Sequence, residues 1–216
     1  MYHGIINIYK EAGYTSHDVV AKLRRILGQK KIGHTGTLDP DAVGVLPVCL
    51  GVGTRLCDML TEENKEYVAE PRFGVTTDTQ DMSGAILSRQ EVTVTEEQAM
   101  EIAGSFLGDY EQVPPMYSAL KMNGRKLYEL AREGLEVERK ARRVRIEALE
   151  ILHMELPVVR MRVVCSKGTY IRTLCDDIGK KAGCGAAMES LKRTRVGNFR
   201  IENALSLSEV EEMLKA

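Results

Sequence analysis

Residues 33–55, GHTGTLDPDAVGVLPVCLGVGTR, constrain this chain more than any other stretch. The opening favours neither helix nor strand: two glycines, two threonines and a histidine lead to Asp39-Pro40. The segment then turns apolar through Val43, Val45, Leu46, Val48 and Leu50, which reads as a buried strand or a short helix. A carboxylate on a tight loop at the lip of an apolar segment is both rigid and accessible. Pro40 fixes its own φ and biases Asp39 towards extended backbone, so the carboxylate's direction is partly set locally. Gly36 and Gly44 bracket the turn, where positive φ or a close approach can be accommodated. Taken alone, an Asp-Pro pair is also an ordinary turn-former.

With 216 residues the chain can build one sizeable core, and a single domain spanning 1–216 is predicted. Hydrophobic content of 44% and charged content of 28% are those of an ordinary globular protein. No run of 18 apolar residues is present and the amino terminus lacks a signal pattern, so no membrane association is expected. The five cysteines contain no CxxC pair, which predicts a reduced, cytoplasmic set with no zinc framework. Net charge is −1, but its distribution is uneven. Residues 121–145 hold nine Lys/Arg against four Glu, and residues 160–200 hold ten against three acidic residues. Such asymmetry suits a basic face for a polyanion on an acidic body, although solvated faces that alternate in sequence would give the same counts.

In chain order, a strand is expected over Ile5–Tyr9, then a helix capped by Ser16, carrying Val19, Val20, Leu23, Ile26 and Leu27 and stopped at Gly28. KEYVAEPRFG reads as a strand whose Pro71 argues for an edge or a bulge. Asp78 and Asp81 fall in a turn, and Thr95-Glu-Glu-Gln98 is a capping box opening an amphipathic helix. VPPMYSALKMNGRKLYELAREG combines a stiff Pro-Pro, a loop-like SALKMNG and a short helix on Leu127, Leu130 and Ala131. Val159, Met161, Val163 and Cys165 alternate with Arg160 and Arg162, as in a half-buried strand. KGTYIR is a glycine turn into a helix from about Thr169. Arg172 therefore sits in a first turn, where the dipole disfavours a cation and an acidic partner such as Asp39 is wanted. Leu191 begins a basic, strand-like run, and Ser206 or Ser208 caps a terminal helix.

GHTGTLDPDAVGVLPVCLGVGTR, the pattern K-x-Y followed by TDTQD, PPMYSALKMNGRKLYELAREG and GTYIR together resemble the TruB family of tRNA pseudouridine synthases over nearly the whole chain. The resemblance implies an α+β pseudouridine synthase fold: a mixed, largely antiparallel sheet flanked by helices, with an RNA-clasping basic thumb over 113–143. It implies Asp39 as the catalytic aspartate, Tyr67 as the active-site tyrosine and Arg172 as the active-site arginine, with Asp81 as a partner for that arginine. His34 would fill the space left by a flipped nucleotide, Leu191 would line the uracil pocket, and Lys10 and Lys121 would bind substrate. Family members usually read Lys-Pro where this chain has Lys10-Glu11, so the local turn is a departure. Bacterial relatives usually carry a further RNA-binding module at the carboxyl end, for which this sequence is expected to leave no room.

The implied reaction is isomerisation of uridine to pseudouridine, with uridine 55 in the T-loop of tRNA as the usual substrate. An ionised aspartate suits attack on, or stabilisation of, the sugar, and an aromatic ring suits holding the detached base. No cofactor and no metal are expected, and GVGTRL at 51–56 lacks the third glycine and the strand–helix setting of a dinucleotide fingerprint. The expected partner is a tRNA stem-loop and the expected state a monomer. A non-catalytic tRNA-binding or folding module, or a small-molecule hydrolase using Asp39, are the competing readings.

Overall fold

The apolar half of the central stretch is a strand, Val43–Leu50, buried at all but its first residue. It pairs antiparallel with Gly4–Lys10 and with the short Ile32–His34, and parallel with Ala186–Val196. Parallel pairing sets Lys192 opposite Val43 and Arg193 opposite Gly44. Gly44 makes this possible: at φ 112° a Cβ there would lie 2.1 Å from the carbonyl oxygen of Arg193. Only glycine lets the two backbones come so close.

The computed structural model describes residues 1–215. Its contacts fall into two units, Met1–Val68 with the segment from Leu191 onward, and Ala69–Ser190. Strands Lys65–Phe73 and Ala186–Val196 run from one unit into the other. No described helix is long and apolar enough to cross a membrane.

In the first unit, helix Ser16–Ile26 lays Val19, Val20 and Leu23 against Ile8, Ile32, Leu46, Val48 and Leu50, and Val210 of helix Leu207–Met213 closes the cluster. The helix is capped by Thr15 rather than Ser16: Thr15 is extended and exchanges hydrogen bonds with Asp18 in a capping box. Ser16 instead spends its hydroxyl on Leu38. GVGTRL follows strand Val43–Leu50, forms a 3₁₀ turn over Gly51–Leu56 and runs into helix Cys57–Thr61. The strand–helix setting that the sequence argued against is therefore present. The amide of Val52 donates to His3 Nδ1 (3.2 Å), so that position serves the amino-terminal segment.

In the second unit, the strand order runs Ala186–Val196, Lys65–Phe73, Val158–Cys165, Arg142–Glu155 and Gly108–Gln112. Pro71 lies inside this order rather than at an edge. Strict alternation buries Lys65, Tyr67, Ala69, Pro71 and Phe73 on one face, and that burial outweighs one missing ladder donor. Helices Glu96–Gly104 and Ile171–Ala182 pack on one another, the former entered through the expected Thr95–Gln98 box. Strand Arg142–Glu155 pairs antiparallel with both Val158–Cys165 and Gly108–Gln112. Together with the parallel pairing at Val43–Leu50, this makes a mixed, largely antiparallel α+β fold.

Candidate functional site

Asp39 is half-buried and stands between two pinned neighbours. The Leu38 amide donates to Ser16 Oγ (2.9 Å), and the Pro40 carbonyl accepts from Lys10 Nζ (3.0 Å) and from the Gly13 amide (2.9 Å). The Ala42 amide closes the turn on the Asp39 carbonyl (3.1 Å). Lys10 ends strand Gly4–Lys10 fully buried, and its ammonium also reaches the carbonyls of Tyr14 (2.5 Å) and Glu11 (3.1 Å). Burial brings its pKa down to about 8, against the opposing pull of Asp39 and Asp41 and with the push of Arg193. Lys10 therefore shapes the turn through backbone carbonyls, a job the sequence did not suggest for it.

His34 ends strand Ile32–His34 half-buried, and its Nδ1 accepts the Gly36 amide (3.3 Å). Burial, and then the charges of Arg193 and His17, hold its pKa below the ordinary value. With Nδ1 accepting, the neutral ring carries its proton on Nε2. Tyr67 is buried on strand Lys65–Phe73, and Leu191 is buried where the first unit resumes. Arg193, two residues on, is also buried in this unit, with Nε on the Val45 carbonyl (2.7 Å) and Nη2 on that of Gly36 (3.1 Å). The sequence offered one clue to it: strand alternation puts Arg193 on the face of Leu191 and turns Lys192 outward.

In the second unit, Arg172 is buried in the first turn of helix Ile171–Ala182. Its Nη1 donates to the Thr79 carbonyl (2.9 Å) and its Nη2 to the Tyr117 carbonyl (2.9 Å), while Asp81 Oδ2 lies 3.6 Å from Nε. The expected Arg172–Asp81 pair is thus present. The other carboxylate oxygen of Asp81 accepts from Thr79 Oγ1 (2.8 Å), the Ser83 amide (3.0 Å) and Ser83 Oγ (2.5 Å), which fixes the 79–83 turn. Gln80 holds this turn to the helix: it stands at φ 66°, accepts from Thr173 Oγ1 (2.7 Å) and donates to Asp176 (2.9 Å). Gln112 meets both backbone groups of Tyr170, accepting its amide (2.8 Å) and donating to its carbonyl (3.0 Å). Neither glutamine stood out in the sequence, since each is placed by partners 58 to 96 residues away.

Lys121 is exposed and belongs to a hairpin of Lys121–Met122 with Arg125–Lys126, turned by Asn123 and Gly124, both at positive φ. The SALKMNG stretch is therefore partly ordered, and its Asn-Gly pair was the signal for a two-residue hairpin turn. Helix Leu127–Arg132 follows with Leu127 and Leu130 buried. Among the described residues no cluster of three or more His, Cys, Asp or Glu is placed to hold a metal ion.

Comparison with known proteins bears on what these groups serve. Residues 24–171 match the family model of the TruB family pseudouridylate synthase N-terminal domain, and residues 172–216 that of the tRNA pseudouridylate synthase B C-terminal domain. The tRNA pseudouridine synthase B of Clostridium kluyveri is 51% identical over 214 residues, covering 98% of this chain and 74% of that protein. That of Lachnoclostridium phytofermentans is 58% identical, covering 99% of this chain and 72% of that protein. Among solved structures, a Cbf5-Nop10-Gar1 complex contains a chain superposing with a TM-score of 0.77 at 35% identity, over 97% of this chain and 54% of that one. An H/ACA RNP bound to a substrate RNA containing 2'-deoxyuridine gives a TM-score of 0.73 at 32% identity, over 97% and 53%. This chain spans about half the length of those two structural neighbours.

Proposed function

Because this chain belongs to the TruB family of pseudouridylate synthases, we propose that it converts uridine to pseudouridine in tRNA, at uridine 55 of the T-loop. The tRNA substrate is the one named for its half-identical relatives, and the basic stretches at 121–145 and 160–200 suit a phosphate backbone. The observation that carries the chemical reading is Asp39 itself: a half-buried aspartate between residues fixed by Ser16, Lys10 and Gly13. A group so held loses little freedom when it meets a substrate, and that preorganisation lowers a barrier.

The reaction breaks the bond from ribose C1′ to uracil N1, turns the base and joins C1′ to C5; the C5 hydrogen leaves to solvent as a proton and N1 takes a proton up, so the product is an isomer of the substrate. In this reading Asp39 acts at C1′, Tyr67 holds the freed uracil by its ring face, and Leu191 borders the base. Arg172, fixed by Asp81, is the arginine assigned to the same reaction. The base must first leave its stack, at a cost of a few kcal/mol. A neutral His34 ring is suited to fill the gap, because it can stack without a charge to desolvate. Residues 113–143 act as the thumb that grips the stem-loop.

Tritium release from a T-loop transcript labelled at uracil C5 tests this. Release is expected from the wild type and not from Asp39→Asn, while that variant still retains RNA on a filter. Retention without release in the wild type would leave a binding module, and release by Asp39→Asn would remove Asp39 from the chemistry.

A further inference from the structure

Arg193 is among the largest side chains in the protein, yet only 1% of it is exposed, and the reaction outlined above gives it no part. A guanidinium is taken out of water only where its donors are met, since an unmet buried charge costs several kcal/mol. Here two donors of the fork go to carbonyls on the two sides of Asp39: Gly36, three residues before it, and Val45, six residues after. We infer that Arg193 is a positioning residue that clamps the 36–45 loop at both ends and so fixes where the Asp39 carboxylate stands. This rests on Asp39 doing the chemistry.

The clamp is anchored as well as attached. The Arg193 backbone lies opposite Gly44 in the parallel pairing, so the side chain starts from the strand alongside the one whose entry it braces. A planar fork can bridge two divergent carbonyls with one rigid group, whereas a lysine ammonium at the same root is a point charge on a flexible stem. Burial is the main cause that holds His34 and Lys10, which flank the loop, towards their neutral forms, and the charge of Arg193 adds to it in both. One buried side chain thus braces the loop and contributes to the electrostatics beside it.

The test uses the full chain carrying Arg193→Lys or Arg193→Met, with three measurements on each: single-turnover tritium release, RNA dissociation constant, and amide hydrogen exchange. The Met variant is expected to release tritium roughly a hundredfold more slowly and the Lys variant about tenfold, since small misplacements of a reacting group carry penalties of that order. RNA affinity should stay within about twofold in both, because phosphate contacts dominate it. Exchange should rise for the 36–45 amides, with Leu38 and Ala42 as reporters, while helix Ser16–Ile26 keeps its protection. Should the Met variant not fold, the Lys variant decides by itself. A Lys variant with wild-type rate and wild-type loop exchange overturns the clamp. So does a loss of rate matched by a loss of affinity with exchange rising throughout the unit, which marks a merely structural arginine. If the wild type releases no tritium, the proposed reaction fails, and the exchange pattern still supports or overturns the clamp.

Discussion

The 36–45 loop and the 113–143 stretch are both short on regular structure and both carry residues singled out in the sequence, but they are built on opposite plans. Within 36–45, the carbonyls of Gly36, Pro40 and Val45 are taken by the buried side chains of Arg193 and Lys10, and Leu38 is tied to Ser16. Within 113–143, Lys121, Arg125 and Lys140 are exposed, and between the Tyr117 tie to Arg172 and the strand that starts at Arg142 order comes from a local hairpin and a six-residue helix. Long-range ties fix one carboxylate, while local order presents many cations to solvent. Under the proposed function, the contrast teaches that turnover and grip would be set by different kinds of interaction, so each could be altered with little effect on the other.

The largest expected effect belongs to Gly44, whose positive φ it shares with Gly124 in the other region. Gly44→Ala would drive a Cβ into the Arg193 carbonyl, and chemical denaturation should show a loss of about 3 kcal/mol or more. A loss below about 1 kcal/mol would mean that the two backbones are not locked there. Next is the combined replacement of Lys121, Arg125 and Lys140 by Gln. It should weaken RNA binding roughly tenfold and flatten the log–log salt dependence by about 0.7 to 0.9 for each phosphate the protein no longer neutralises. The single-turnover rate at saturating RNA should not change, and an unchanged salt slope would take these cations out of the grip.

The third effect is a pH dependence. Lys10 gives up its proton at about 8 in the folded protein, whereas an unfolded lysine keeps it to about 10.4. Between these values the unfolded chain binds more protons, so the contribution of Lys10 to stability rises with pH over that window. Denaturation of wild type and Lys10→Met between about pH 7.5 and about pH 10.5 should diverge in favour of the wild type, and parallel curves would refute the lowered pKa. The smallest effect belongs to Gly124→Ala. A Cβ there meets nothing within 4 Å, so only the strain of left-handed backbone, about 1 kcal/mol, is at stake. It should appear as faster local exchange in the hairpin. A global loss equal to that of Gly44→Ala would erase the distinction between the two regions.

Much of this was legible because it was local. The apolar run 43–50, the alternation of 159–165, the Thr95 box and the helix carrying Arg172 all follow from residue order. The fourteen-residue strand Arg142–Glu155 does not announce itself in the sequence, and its register shifts between Ile146 and Ala148 and between Ile151 and His153 explain why. Each irregularity resets the two-residue period that would have revealed it. Arg193, Gln80 and Gln112 escape for another reason: their partners are carbonyls, amides and side chains far along the chain, and any polar residue can find such a partner only once the fold exists. The Asp81–Arg172 pair is anticipated through family resemblance, not through spacing.

The bond from Arg172 to Tyr117 has a mechanical consequence. Gln112 is hooked to Tyr170 and the Tyr117 carbonyl to Arg172, with Pro114-Pro115 stiffening the span between the two hooks. Any hinge for the segment beyond would therefore lie after residue 117. A pull on that segment would be felt as torque on the Arg172 guanidinium itself.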